Sequence, residues 1–197
     1  ELQERLFANG QAKTSESKVL LLLQGMDTSG KGGIIRHAAG LVDPQGLSIY
    51  SFKKPTQAEL DHDFLWRVEK HLPDAGKIGV FDRSQYEDVL IARVRQLAEP
   101  DEIERRYDAI NEFEKHLARN GTVILKFFLN VSKEEQRVRL LARIDEPDSN
   151  WKFDPRDLRE RALWPQYMHA FEDTLRSTST PWAPWYAVPA DSKSFMR

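Results

Sequence analysis

The sequence predicts an α/β domain with a parallel sheet covered by helices on both faces. Two observations predict it. Short apolar runs alternate with helical patterns along the 197 residues. The most apolar of these runs ends abruptly in glycines, "LLLLQGMDTSGKGG", Leu20 to Gly33, as a buried strand does when it enters a ligand-binding loop and then a helix.

The elements follow in order. Val19–Gln24 reads as a buried parallel strand, and Lys31–Val42 as a helix stopped by Pro44 and Gly46. Leu47–Phe52 is a second strand. Thr56 and Glu59 form a capping box whose helix is expected to reach about His71, before Pro73. Ile78–Phe81 is a third strand. Tyr86–Arg95 and Asp101–Arg119 read as helices, the second closed by Gly121. Thr122–Val131 is the most β-like stretch. Ser132 and Glu135 form another capping box, Asp154 and Pro155 open a helix, and Pro165 starts one reaching about Arg176. Trp185–Val188 is a last short strand, after which Asp191 caps a helix that barely begins. Together these make one domain over residues 1–197 with a sheet of about five strands.

Composition narrows the function. There is no cysteine, so a disulfide framework, a thiolate nucleophile and a Cys metal site are all excluded. No run is long enough to span a bilayer and no signal-peptide pattern opens the chain, so a cytoplasmic protein without a membrane partner is expected. The net charge of −2 argues against a nucleic-acid coat but not against a local basic groove. The chain opens at Glu1 without Met and closes just after a helix-start signal, as trimmed ends would.

Gly25-x-x-x-x-Gly30-Lys31 sits between strand and helix, as a Walker-type phosphate loop requires. Gly25, Thr28, Ser29, Gly30, Gly32 and Gly33 supply a curled backbone whose N–H groups can face an anion, and Lys31 supplies a mobile cation. Gly32 stands where such loops carry the Ser or Thr that holds Mg²⁺. Asp27, inside the loop, is the candidate replacement ligand; its rival role is a turn cap. Asp82 ends an apolar strand, where an acid faces the metal or the attacking group, and Arg83 follows with a guanidinium suited to an acceptor phosphate. Lys53 and Lys54 end another strand and either hold the acceptor or form a solvated turn. In Ser132–Asp145, a helical wheel puts Leu140, Leu141 and Ile144 on the apolar face, Arg139 and Arg143 on the polar side, and Arg137 near the apolar side. That helix is either a phosphate-gripping lid or a salt-bridged surface helix. Trp151, Phe153, Trp164, Tyr167 and Phe171 read as packing residues.

The motifs "GMDTSGKGG", "FKKPT", "HDFLWRVEKHLP", "FDRSQYEDVL", "KEEQRVRLLARIDEP", "NWKF" and "STPWAPWYAVPAD" together resemble the polyphosphate kinase 2 family, in family order over nearly the whole chain. The resemblance implies a three-layer α/β/α P-loop kinase fold like that of thymidylate kinase, with a helical lid at about residues 132–165. It implies Mg²⁺-dependent, reversible phosphoryl transfer between inorganic polyphosphate and a nucleotide acceptor such as AMP or ADP. Carried over by motif, Asp27 and Asp82 match the metal and catalytic acids, Lys31 the loop lysine, Arg83 the arginine after the second acid, and Arg137, Arg139 and Arg143 the lid basics. The family subgroup acting on both AMP and ADP often has Asn where Asp82 stands yet shares a "YEDVL"-like continuation, so features of two subgroups combine here and the acceptor stays open. A homo-oligomer is expected. An ATP-dependent nucleoside monophosphate kinase would share the loop, Asp82–Arg83 and the lid; a non-catalytic phosphate-binding protein would not need Asp27, Lys31 and Asp82 together.

Overall fold

The computed structural model describes residues 1–196. Strands β1 (Lys18–Gln24), β2 (Leu47–Ser51), β3 (Ile78–Asp82), β4 (Thr122–Asn130) and β5 (Trp185–Pro189) form one parallel sheet in the order β2-β3-β1-β4-β5. β1 lies at the centre, with Leu22 opposite Phe81 of β3 and Lys126 of β4. A central strand covered on both faces has no solvent side, which explains the unbroken leucines. Leu20 and Leu22 face helices α5 (Glu87–Val94), α6 (Pro100–Arg119) and α9 (Trp164–Thr178), whose Leu90, Ile110 and Phe171 complete the main core. Leu21 and Leu23 face the other way, toward α2 (Lys31–His37), and line an apolar cavity of about 350 Å³ with Ile34 and Ala38. An N-terminal helix, α1 (Leu2–Gln11), is tied by Gln3 to the backbone of Asp43 (3.3 and 3.4 Å).

Several expectations change. The helix from Lys31 ends at His37 and passes into a 3₁₀ turn, Ala39–Leu41. The capping box at Thr56 forms with both arms, but its helix divides into α3 (Gln57–Leu60) and α4 (Trp66–Glu69). Asp63 causes the restart by accepting a hydrogen bond from Leu65 N (2.9 Å), an Asx turn that competes with helix continuation. At α7 (Lys133–Asp145) Ser132 caps Glu135 N, but Glu135 turns to Arg139 instead of closing the box. The segment continues through a 3₁₀ turn, Pro147–Lys152, to α8 (Arg156–Ala162). Before α10 (Lys193–Met196) the cap is Ser192, which accepts from Phe195 N (3.3 Å); Asp191 instead accepts from Ser132 N (2.7 Å).

The orientation of α7 departs from the wheel reading everywhere but at Leu140 and Arg143. Gln136, Arg139 and Leu140 are buried, whereas Arg137, Leu141 and Ile144 are exposed. The inner face of α7 meets backbone carbonyls rather than an apolar core, and buried carbonyls require donors.

Candidate active site

The carboxyl ends of β1, β2 and β3 open on one mouth, where ligands enter sheets of this kind. Asp82 is in register with Leu23 of β1 and Ser51 of β2. The loop after β1 passes so close to β4 that a Cβ at Gly25 would lie 2.8 Å from the Leu129 carbonyl oxygen. Gly30 carries φ +106, open to a residue without a side chain. Thr28 and Arg83, both with φ 65, also occupy the left-handed region. Each such non-glycine residue stores roughly 1–3 kcal/mol of strain, of a kind that gathers at functional sites.

Four charged groups converge there. Lys31 Nζ donates to the carbonyls of Gly25 (2.9 Å) and Met26 (3.3 Å), and Arg83 Nη2 donates to Asp27 Oδ1 (3.3 Å). Burial, then the Arg83 guanidinium, pull the Lys31 ammonium below its ordinary value. Burial opposes the charge of Arg83, but Glu87, Asp27 and Asp82 outweigh it and hold the guanidinium above its usual value. Asp82 Oδ2 accepts from Ser51 Oγ at 3.5 Å, while its Oδ1 is buried without a partner. Thr28 Oγ1 and Ser29 Oγ are likewise buried and unpartnered. These three atoms at the mouth are left open to a bound ligand or ion.

The mouth opens into a cavity of about 770 Å³. Asp27, Thr28, Ser29, Gly30, Lys31, Gly32, Gly33, Lys53, Asp82, Arg83, Arg139 and Arg143 line it, all of them singled out from sequence. Arg137 is exposed and is not among the lining residues. Lys54 is exposed and also outside. Gly25 anchors the turn from behind. Arg139 lines the cavity yet is buried, with Nη1 on Thr28 O (2.9 Å) and Nη2 on Ala190 O (2.7 Å); the expected solvent-facing position is wrong. Arg143 is paired with Asp157 (3.0 Å). Trp151, read as a packing residue, stands 79% exposed at the cavity.

Sequence reasoning missed Arg36, His37 and Lys193 as lining residues. Arg36 carried a signal, lying five residues after Lys31 on the same helix. Glu87 was also missed; with the Gln24 amide oriented by its neighbours, Gln24 donates to Glu87 (2.9 Å) and accepts from Ser84 N (3.0 Å). Burial pushes the Glu87 carboxyl up, against the pull of Arg83 and Lys31.

Two supports lie behind the mouth. Arg67, 4% exposed, donates to the Lys53 carbonyl and to Asp88 (both 3.0 Å), fixing the turn that presents Lys53. Glu114 accepts from Gln85 Nε2 (3.2 Å) and Tyr86 Oη (2.8 Å) and pairs with Lys126 (2.6 Å). This buried pair holds the residues that follow Asp82 and Arg83.

Among the described residues no cluster of three His, Cys, Asp or Glu could hold a metal by itself. Mg²⁺ does not require one, because it commonly takes one or two carboxylates plus substrate phosphates. The unpartnered Oδ1 of Asp82 and the partly exposed carboxylate of Asp27 fit that donor set.

The profile of the family described as Polyphosphate kinase 2 (PPK2) matches residues 1–197. The chain is similar to an ADP-polyphosphate phosphotransferase of Rhodopseudomonas palustris, with 48% identity over 100% of this chain and 71% of that protein. It is also similar to an AMP/ADP-polyphosphate phosphotransferase of Meiothermus ruber, with 49% identity over 96% of this chain and 69% of that protein. The crystal structure of polyphosphate kinase 2 from Arthrobacter aurescens TC1 superposes with a TM-score of 0.96 at 54% identity, covering 98% of this chain and 68% of that one.

Proposed function

The chain belongs to the polyphosphate kinase 2 family, and from that premise we propose that it transfers phosphoryl groups reversibly between inorganic polyphosphate and a nucleoside mono- or diphosphate, AMP or ADP in type. The observation that carries the reading is the cavity. Beyond Lys31 and Arg83 it is lined by Arg36, Lys53, Arg143, Lys152 and Lys193, a run of cations suited to a polyanion with no base to recognise. An ATP-dependent kinase would need a second base site.

The roles follow from position. The first N–H groups of α2, at Lys31 and Gly32, lack intrahelical partners and can bind phosphoryl oxygens. Lys31 leaves its carbonyl contacts to follow the transferring group; Arg83 holds the acceptor phosphate while keeping Asp27 in place. Asp27 and Asp82 would hold Mg²⁺. That ion would supply positive charge to offset the negative charge that develops on the transferring phosphoryl group. The segment from α7 to α8 forms the roof of the cavity, from which Arg143 and Lys152 reach the chain of phosphates and exclude water from the reacting group. We also propose a cytoplasmic location and a homo-oligomeric assembly, the latter by likeness to the family; among the described residues no helix is long and apolar enough to cross a membrane.

The test is a donor exchange. Protein with Mg²⁺ is given either polyphosphate or ATP as sole donor and AMP, ADP, GMP or GDP as acceptor. Product from polyphosphate, and polyphosphate formed from the nucleoside triphosphate in reverse, are expected. Turnover with ATP and never with polyphosphate would replace this reading by the ATP-dependent one.

A further inference from the structure

Thr28 holds a backbone conformation that a β-branched residue avoids, at φ 65, and it does so in the middle of the phosphate loop. Both peptides that bound its Cα are gripped from the same helix. Gln136 Nε2 donates to the Asp27 carbonyl at 3.1 Å, and Arg139 Nη1 donates to the Thr28 carbonyl at 2.9 Å. Holding both flanking peptide planes fixes φ and ψ of the residue between them. We propose that Gln136 and Arg139 are positioning residues that clamp the phosphate loop in its strained, anion-receiving form, and that Arg139 is not a contact for polyphosphate. The proposal rests on the kinase reading above.

The two side chains are committed to this task. Arg139 Nε donates to Glu135 (2.8 Å) and its Nη2 donates to the carbonyls of Ala190 (2.7 Å) and Asp191 (2.9 Å). With the Thr28 bond, four of its five N–H groups are occupied, so little of the guanidinium remains for a phosphate. Gln136 is 1% exposed. Its Oε1 accepts from Arg161 Nη1 (3.1 Å), which leaves the amide nitrogen facing the loop. In a planar trans peptide the C=O and the next N–H point in opposite directions. Pulling the Asp27 carbonyl toward Gln136 therefore turns Thr28 N–H away from α7, and it sets the frame from which the Asp27 carboxylate meets Arg83 at 3.3 Å. Arg139 also ties the loop to the backbone after β5, so three chain segments distant in sequence meet on one guanidinium.

A clamp and a phosphate contact predict different kinetics. Gln136→Met keeps the length of the side chain and removes the donor; Arg139→Lys keeps the charge and loses the planar fork. Each is expected to lower kcat at least tenfold, with KM for polyphosphate and for nucleotide within threefold of wild type. The slope of log KM for polyphosphate against log salt should be unchanged, because no screened phosphate contact has been lost. Hydrogen exchange without any substrate should quicken at least fivefold at amides 27–31 and stay unchanged in α6. A raised polyphosphate KM with a shallower salt slope in Arg139→Lys would make Arg139 a phosphate contact and overturn the proposal. A lower melting temperature with kcat and loop exchange at wild-type values would reduce both residues to packing. Should Gln136→Met fail to fold, Arg139→Lys carries the same measurements. A wild-type protein unable to use polyphosphate would sink the kinase reading, while the exchange experiment would still decide the clamp.

Discussion

Lys126→Met tests the support beneath the residues that follow Asp82 and Arg83. The Lys126 and Glu114 side chains are 0% and 1% exposed and lie 2.6 Å apart. Lys126 also donates to Tyr86 Oη (2.8 Å) and to the Thr178 carbonyl (2.7 Å). Methionine fills similar volume but leaves the Glu114 carboxylate buried with only neutral donors. Removing one member of a buried pair costs about 3–5 kcal/mol; at roughly 2–4 °C per kcal/mol for a domain of this size, Tm should fall by roughly 6–20 °C. The loss should depend on pH. Burial already pushes the Glu114 carboxyl up, and Lys126 is the chief opposing influence, so the variant's carboxyl rises further. A folded-state value above the unfolded one gives stability that is complete below about pH 4.3 and is lost as pH rises through the folded value, at about 1.4 kcal/mol per pH unit. The deficit should therefore be larger at pH 8 than at pH 5. Adding Glu114→Gln should recover most of it, since neither charge is then buried alone. Urea unfolding of the single and double variants at both pH values is the assay. A deficit below about 1 kcal/mol at pH 8, or one equal at both pH values, would refute the reasoning.

Other perturbations read the mouth itself. Asp82→Asn should lower kcat by about two orders of magnitude, the scale of one lost electrostatic group of about 3 kcal/mol, without lowering Tm; steady-state kinetics beside a melting curve decide it. Asp27→Asn should fall similarly, and Gly32→Ser in that background should restore part of the activity, because a Cβ at Gly32 meets nothing within 4 Å and the hydroxyl would return to its usual place beside the metal. Mg²⁺ titration of the single and double variants checks this, and no recovery would mean that Asp27 does not stand in for that hydroxyl. Arg143→Ala should raise KM for polyphosphate severalfold at low salt and by less at high salt, where the lost contact is already screened in the wild type, with a stability loss of at most about 1 kcal/mol from its pair with Asp157. Arg137→Ala, exposed and outside the cavity, should leave kinetics unchanged at every salt concentration.

Much of the site was legible because its signals are local. The glycine spacing, the lysine that opens α2, and the acid that ends β3 are each decided by a few neighbouring residues and by the geometry of strand, turn and helix. The capping box at Thr56 formed for the same reason. Its helix broke early because Asp63 offered the backbone a competing bond, and no periodicity records that competition. Gln136 and Glu87 lie inside motifs, but nothing local singles them out there; each matters only through partners brought to it by the fold.

By itself the sequence determined a parallel α/β sheet, a phosphate loop lacking its hydroxyl, and two acids and two cations at the carboxyl ends of strands, because backbone conformational demands and strand periodicity act over short range. Tertiary structure alone decided which way α7 faces. A helical wheel assumes that arginine seeks water and leucine seeks the core. Here the surface opposite α7 presents the carbonyls of Asp27 and Thr28, 109 and 111 residues away from Gln136 and Arg139. Buried carbonyls require N–H donors, so Gln136 and Arg139 turn inward while Leu141 and Ile144 remain in solvent.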